Sequence, residues 1–134
     1  MPEDHVATVR SLYEAFGRGD VATVVDAAAE DVEWEAGAVD HGLPLLTPGR
    51  GKPHVAAFFS QLGEVEFKRF EPRVIFGSGD HVMAVVAVEF LVLKTGHSVT
   101  EESEGHLWTF GPDGKYVAFR HFVDTLQHSR AWSG

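Results

Sequence analysis

The sequence predicts a single α+β domain in which three N-terminal helices cover one face of a curved antiparallel sheet. Two observations predict this class. Before residue 63 the apolar residues recur at helical three- and four-residue steps, whereas long strand-like runs separated by short glycine-containing turns follow it. At 134 residues the chain is long enough to bury a core, so we expect one domain over residues 1–134.

Three helices are predicted from start and stop signals in the first half of the chain. The first spans residues 4–17, behind acidic residues that favour a helix N-terminus. Gly17 then supplies a stop and Asp20 a cap, which predicts a second helix over residues 21–29. Pro53 is typical of a first helical position and begins the third helix, PHVAAFFSQL.

The strands are predicted from alternation and from turn residues. Residues 31–36 alternate and indicate a short, half-buried strand with Trp34 on the buried side and Glu33 and Glu35 on the other. A loop rich in glycine and proline joins this strand to the third helix. Four long strands are predicted over residues 65–76, 81–94, 97–110 and 115–125. Their short connections imply an antiparallel meander.

Composition narrows the partners that we expect. Eleven basic residues against twenty acidic ones give a formal net charge of -9, which repels nucleic acid and anionic membrane surfaces. There is no cysteine, so disulfides, thiolate nucleophiles and zinc fingers are excluded. The N-terminus has no basic region before an apolar run, and no segment approaches 18 consecutive apolar residues. We therefore expect a cytoplasmic protein without a nucleic-acid or membrane partner.

The turn GPDG at residues 111–114 predicts how the last two strands pair. Proline suits the second turn position and glycine the fourth, so the simplest register opposes His106 to Phe119 and Glu104 to His121. One face of the hairpin then carries Glu102, Glu104, His106, Trp108, Val117, Phe119, His121 and Val123. Such a mixture of large apolar and ionisable side chains indicates a partly dry pocket.

The opposite face of the hairpin is also apolar for a solvated surface. It carries Leu107, Thr109, Tyr116, Ala118 and Phe122, with Arg120 and Asp124 as its charged members. We interpret Arg120 and Asp124 as a structural or interface pair, and we expect this face to pack on a second subunit. His128 is expected at the surface, and Glu101 and Glu102 are expected near a strand end in solvent.

The pocket face supplies candidate catalytic residues. His121, with Glu104 as its orienting carboxylate, is a plausible general base or acid, because the ordinary histidine pKa of about 6.5 lies near neutral pH. A neighbouring carboxylate raises that pKa and burial lowers it, so the sign of the shift stays open. The aromatic residues expected to contact a substrate are Tyr13, Trp34, Phe58, Phe59, Trp108 and Phe119.

Glu104, His106 and His121 also form a two-histidine, one-carboxylate set of the kind that can hold a metal ion. The fourteen residues between the two histidines match no local metal motif. We therefore predict no metal and no cofactor.

Three segments carry a family likeness: VRSLYEAFGRGDVATVVDAAAEDVEWEA, RGKPHVAAFF and HLWTFGPDGKYVAFRHFVDT. They resemble the SnoaL-like and ketosteroid isomerase-like proteins of the nuclear transport factor two superfamily. The resemblance implies a cone-shaped, cystatin-like α+β fold, a deep pocket between sheet and helices, and a homodimer formed through the sheet.

The resemblance also implies site positions. His106 falls where ketosteroid isomerases place the protonated aspartate that donates to the developing oxyanion. His121 falls where SnoaL-type polyketide cyclases and limonene epoxide hydrolases carry a catalytic aspartate. The base and the oxyanion tyrosine of ketosteroid isomerases align instead with Ala36 and Leu12, so the residues do not match that enzyme.

These observations lead to two hypotheses for function. In the first, the protein is a cofactor-independent enzyme for a small apolar carbonyl-type substrate, by isomerisation, cyclisation, dehydration or hydrolysis. His121, oriented by Glu104, would move a proton, and His106 would donate to an oxyanion. In the second, the protein is a non-catalytic small-molecule binding or dimerisation module, in which the histidines are satisfied by hydrogen bonds in the core.

Overall fold

The predicted α+β class is confirmed. The computed structural model describes residues 2–133, which form a curved, unclosed six-stranded sheet and four α-helices. The helices are α1 (Pro2–Gly17), α2 (Val21–Asp26), α3 (Lys52–Gln61) and α4 (Thr125–Trp132), with a 3₁₀ turn at Leu62–Glu64. The strands are β1 (Ala28–Trp34), β2 (Gly49–Arg50), β3 (Val65–Ser78), β4 (His81–Val92), β5 (Ser98–Phe110) and β6 (Tyr116–Phe122).

The strand order across the sheet is β2-β1-β6-β5-β4-β3. The predicted antiparallel meander is present as β3 to β6, in which each strand pairs with the next. β1 joins the sheet beside β6 in parallel, which the local sequence pattern did not predict. The sheet packs its inner face against α1, α2 and α3, and the main core lies between these layers.

The second helix is shorter than predicted and the strand after it begins earlier. α2 ends at Asp26 instead of residue 29 because the chain turns there to pair with β6, where Ala28 lies opposite Tyr116. The main-chain N–H of Tyr116 donates to the carbonyl of Ala27, and its hydroxyl donates to the carbonyl of Val24. Tertiary hydrogen bonds therefore override the helix propensity of the alanine run.

The C-terminal helix α4 was missed, since residues up to 125 were assigned to the last strand. β6 ends at Phe122, and Asp124 caps α4 by accepting a hydrogen bond from the main-chain N–H of Gln127 at 3.0 Å. The expected pair of Arg120 and Asp124 is therefore wrong. Arg120 instead donates to the carbonyl of Ala36 at 3.5 Å and lies over the ring of Phe122.

The register of the last hairpin differs from the prediction by two residues. His106 lies opposite His121 and Trp108 opposite Phe119, so the predicted opposition of Glu104 and His121 is wrong. Because the side-chain period of a strand is two, this shift leaves the pocket-facing residues of both strands on the same face.

The turn and a bulge next to it each contribute one residue to this shift, because Phe110 already lies opposite Tyr116 where the prediction opposes residues 110 and 115. Thr109 pairs with Ala118 while Phe110 pairs with Tyr116, which leaves Val117 unopposed. The side chain of Val117 packs over Gly111, where a β-carbon would lie only 2.9 Å from it. The turn thus uses the missing side chain of Gly111 to accommodate Val117.

A second bulge changes the position of Glu102. β5 pairs Glu104 with Val86 but Glu101 with Val88, so alternation breaks between these pairs. The predicted register put Glu102 on the pocket face, although the residue was expected in solvent. It is exposed on the outer side and bridges Arg69 and Arg73 at 3.2 and 3.1 Å. No helix within residues 2–133 is both long and apolar enough to span a membrane.

Candidate functional site

A cavity of about 80 Å³ lies between the inner face of the sheet and the helices. The nine residues proposed for the site from the sequence all line it: Tyr13, Trp34, Phe58, Phe59, Glu104, His106, Trp108, Phe119 and His121. Leu45 and Leu46 from the loop after β1, and His128 from α4, complete the wall. The cavity is therefore mostly apolar, with a small group of ionisable side chains along the sheet.

The aromatic part of the wall is tightly packed. Trp34 stacks on Phe119 with ring centroids 4.3 Å apart, and Phe58 lies 5.1 Å from Trp34. Trp108 meets Phe119 edge to face at 4.8 Å. These contacts fix the ring positions and make the cavity largely preformed.

His121 is held by Glu35 and not by Glu104. Nδ1 of His121 lies 2.5 Å from one carboxylate oxygen of Glu35, and the main-chain N–H of His121 donates to the other oxygen at 3.0 Å. Since a carboxylate only accepts, Nδ1 carries the proton of this hydrogen bond. No group within residues 2–133 hydrogen-bonds Nε2, which leaves that nitrogen available to a ligand.

The pairing with Glu35 decides the charge of His121. Burial lowers the pKa of His121, but the negative charge and hydrogen bond of Glu35 outweigh it, with a further contribution from the charge of Glu104. The pKa of His121 is consequently raised above 6.5. The side chain of His121 is only 11% exposed, so when it is protonated it forms a nearly buried ion pair with the carboxylate of Glu35.

Glu35 is the functional residue that sequence reasoning missed. Alternation along residues 31–36 put it outward beside Glu33, and Glu33 does lie outward, 3.4 Å from Arg50. The strand ends at Trp34, and Glu35 adopts a left-handed backbone conformation with φ 54°. This turn of the chain directs Glu35 inward, where its side chain is 2% exposed. Only its position next to Ala36, which aligns with the base of ketosteroid isomerases, pointed to it.

His106 belongs to a separate chain of hydrogen bonds. Its Nε2 lies 2.6 Å from Glu104, its Nδ1 lies 2.6 Å from the Tyr13 hydroxyl, and Trp108 donates its indole N–H to the same hydroxyl at 3.2 Å. The carboxylate of Glu104 accepts the Nε2 proton, so Nδ1 accepts the proton of Tyr13. The chain therefore runs in one direction, from Trp108 through Tyr13 and His106 to Glu104.

This arrangement limits what His106 can do. Burial lowers the pKa of His106 more than Glu104 raises it, so the ring is neutral near pH 7. Both nitrogens are already engaged within the protein. Donation from His106 to a substrate oxyanion would require one of these hydrogen bonds to break, so the structure favours a positioning role for this residue.

Glu101 extends the polar group towards solvent. Burial and the nearby Glu104 raise the pKa of Glu101 to about 7, and one of its oxygens accepts the main-chain N–H of Asp124 at 2.5 Å. Burial raises the pKa of Glu104, but the hydrogen bond from His106, the positive charge of His121 and a hydrogen bond with Glu101 together lower it by more, so its net pKa is below the ordinary value. A protonated Glu101 can thus donate to the carboxylate of Glu104. Glu101 was expected in solvent but is half-buried.

A second, more polar groove of about 470 Å³ lies on the other side of His121. Its wall includes Glu35, Glu101, Ser103 and Arg120. His121 forms part of the wall of both spaces. Solvent in the groove can therefore exchange protons with a histidine that also contacts the apolar cavity.

Glu104, His106 and His121 are the residues that could hold a metal ion, because each offers a ligand atom within 4.8 Å of the other two. The nearest pair, Nε2 of His106 and Oε2 of Glu104, is 2.6 Å apart. Two ligands of a tetrahedral zinc ion lie about 3.3 Å apart, so this pair would have to separate to bind one. The observed geometry is that of a hydrogen bond, and the absence of a metal stays a prediction.

Comparisons with known proteins agree with this architecture. A family model described as a SnoaL-like domain matches residues 9–119. Among curated proteins no sequence matches the chain. A nuclear transport factor two-like protein from Burkholderia xenovorans LB400 is similar at 27% identity with a TM-score of 0.83, over 98% of this chain and 97% of that one.

More distant structures share the fold. TerC, co-crystallised with polyporic acid, is 22% identical with a TM-score of 0.77 over 98% of this chain and 99% of that one. An LEH-like epoxide hydrolase from M. tuberculosis is 15% identical with a TM-score of 0.70 over 97% and 90% of the two chains. Because the family match covers most of the sequence and the whole folds superpose, the chain belongs to the SnoaL-like family.

Proposed function

We propose that the protein is a cofactor-independent enzyme that transfers a proton to or from a small, apolar, carbonyl-bearing molecule bound in the cavity. His121 is the general acid and base, and Glu35 is the carboxylate that orients it and stabilises its protonated form. The observation that carries this proposal is the pair of hydrogen bonds that His121 donates to Glu35, which leaves Nε2 without a partner among residues 2–133.

The chemistry follows from the state of each nitrogen. Neutral His121 has a lone pair on Nε2, which can remove a proton from the carbon next to a ligand carbonyl. The carbon–hydrogen electron pair then forms an enolate, and the imidazolium is stabilised by the carboxylate of Glu35. Return of the proton from Nε2 to a different carbon completes an isomerisation. In an aldol-type cyclisation the enolate first attacks a second carbonyl of the ligand and Nε2 then protonates the new alkoxide, whereas in a dehydration Nε2 protonates the hydroxyl group that leaves as water.

The surroundings support proton transfer over other roles. The aromatic wall excludes most water, which strengthens the interaction between Glu35 and the imidazolium. The protonated ring can itself donate from Nε2 to the developing oxygen anion. The similar structures support a small organic ligand, because one of them is an epoxide hydrolase and another was crystallised with polyporic acid.

Proton transfer can be tested without the natural substrate. Acetophenone in deuterium oxide exchanges the protons of its methyl group when a base removes them, and this loss is followed by NMR. We expect the wild-type protein to accelerate exchange about a hundredfold or more over buffer, which is the usual contribution of a positioned base. His121→Gln should reduce the rate to that of buffer.

A matched control separates His121 from histidine in general. His81 is exposed and hydrogen-bonded to Thr109, so His81→Gln should exchange acetophenone at the wild-type rate. Equal rates for wild type and His121→Gln would remove the proposed base. Tight binding of acetophenone without any exchange would favour the alternative hypothesis, a non-catalytic binding module.

We also propose that the protein is a homodimer formed through the outer face of the sheet. We define this outer face by six apolar residues that strand pairing arranges in two adjacent rows across β3 to β6: Val74, Phe76, Met83, Val85, Leu107 and Phe122. Val74, Phe76 and Phe122 remain exposed in the single chain although they are large and apolar. A second copy would remove this surface from water.

A further inference from the structure

His128 is a buried histidine that the proposed proton transfer does not use. It lies on α4, is 4% exposed and contributes to the wall of the cavity. Its ring is fixed by stacking on Trp132, with centroids 4.5 Å apart and planes inclined by 29°. Phe90 meets it edge to face at 6.3 Å. The imidazole is therefore held rigidly, as a recognition group must be.

The two nitrogens of His128 have different roles. Nε2 lies 2.5 Å from the carbonyl oxygen of Pro44, and a carbonyl only accepts, so Nε2 carries a proton. Burial lowers the pKa of His128, which keeps the ring neutral. Nδ1 is therefore an acceptor, and no group within residues 2–133 donates to it.

Nδ1 of His128 is not among the fully buried side-chain atoms that lack a partner, and His128 lines the cavity, so a donor on a ligand can reach this nitrogen. We infer that Nδ1 of His128 binds a hydroxyl or N–H group of the ligand, at a second polar point of the cavity besides His121. The inference rests on the proposed function in taking this cavity as the ligand site. It narrows the ligand class to an apolar molecule that has a carbonyl and also a hydrogen-bond donor.

The experiment compares two probes that differ only in this donor. 4-Hydroxyacetophenone and 4-methylacetophenone have similar size, but only the first can donate to Nδ1. Dissociation constants are measured at neutral pH by isothermal titration calorimetry for wild type and His128→Phe. We expect wild type to bind the hydroxyl probe about tenfold more tightly than the methyl probe, in line with one net hydrogen bond.

His128→Phe keeps an aromatic ring against Trp132 but has no nitrogen, so the two probes should bind it equally. Loss of the Pro44 hydrogen bond could weaken binding of both probes, and for that reason the ratio of their dissociation constants is the readout. If the variant does not fold, the wild-type protein is studied instead by NMR. The 15N chemical shift of His128 Nδ1 should then change when the hydroxyl probe is added and stay the same with the methyl probe.

Three results would overturn the inference. Equal affinities in wild type would do so while leaving the proposed function intact, because both ketones still bind. A hydroxyl preference that persists in His128→Phe would assign recognition to another group. If neither ketone binds to wild type, the cavity is not a carbonyl site, and the proposed function and this inference both fall.

Discussion

At the scale of single residues, Glu35 determines the character of the site. Its left-handed backbone conformation is unusual for a residue with a side chain and costs roughly 1–2 kcal/mol. The two hydrogen bonds to His121 offset this cost and bring a carboxylate into the core. The neighbouring Tyr13, His106 and Glu104 are satisfied among themselves, so His121 keeps the free nitrogen.

Removal of the Glu35 carboxylate should destabilise the fold. Glu35→Ala removes the partner of the nearly buried His121, and breaking a buried ion pair in this way typically costs about 3–5 kcal/mol. The free energy of unfolding in urea should therefore fall by this amount at pH values below the raised pKa of His121. Glu33→Ala removes an exposed carboxylate of the same strand and should cost about 0–1 kcal/mol.

The same variant should show a characteristic pH dependence. Because the pKa of His121 is raised in the folded protein, the stability contributed by the pair is fully present below pH 6.5. It is lost as pH rises through the raised pKa. The stability difference between wild type and Glu35→Ala should thus shrink with increasing pH, and a difference that grows would contradict the ion pair.

The sequence could predict the lining residues but not their partners. The two-residue alternation of the hairpin placed His106, Trp108 and His121 on the cavity side. This placement stays correct despite the register error, because a shift of two residues does not change the face on which a side chain lies. Hydrogen-bond partners depend instead on the backbone conformation of single residues. A left-handed turn at Glu35 and a bulge beside Glu102 leave no periodic signal.

At the scale of elements, α4 and the loop after β1 close the cavity together. Leu45 from this loop packs in one cluster with Ala131 of α4, and His128 donates to the carbonyl of Pro44. The helix is only eight residues long, so it depends on these contacts and on its cap more than on propensity. A helix of eight residues also offers too few apolar repeats for periodicity to separate it from the end of the preceding strand.

The cap of α4 should consequently control the cavity. Asp124→Ala removes the acceptor for Gln127 and should lower stability by about 0.5–2 kcal/mol. It should also weaken the binding of acetophenone, because α4 and Leu45 lose their fixed positions. Asp20→Ala removes the corresponding cap of α2, so it should cost similar stability but weaken acetophenone binding less, because α2 contributes one side chain, Val24, to the cavity wall. Equal binding in the two variants would contradict a role for α4 in closing the site.

At the scale of the whole molecule, one sheet serves two purposes. Its inner face builds the cavity, and its outer face carries exposed apolar side chains, which we propose pack against a second copy. The class and the meander were predictable because they depend on long periodic segments. The parallel pairing of β1 with β6 was not, because it joins residues about 90 positions apart and depends on how the layers pack.

A charge on the outer face should separate the proposed dimer. Phe76→Glu places a carboxylate within the proposed apolar interface and should yield monomers in size-exclusion chromatography with light scattering. Leu93→Glu is a matched control, since both side chains are 54% exposed but Leu93 lies beyond the opposite end of β4. A wild-type protein that is itself monomeric, or a Phe76→Glu variant that stays dimeric, would contradict this interface.

The central claim, that Glu35 sets the proton affinity of a catalytic His121, is tested most directly by the pH dependence of acetophenone exchange in Glu35→Gln. Exchange needs neutral His121, so in wild type the rate should rise with pH through a midpoint above 6.5. Both proteins are compared in a Glu101→Gln background, which removes an overlapping pKa of about 7. Burial lowers the His121 pKa once the Glu35 charge is gone, so the midpoint in Glu35→Gln should move to lower pH. An unchanged midpoint would contradict the account.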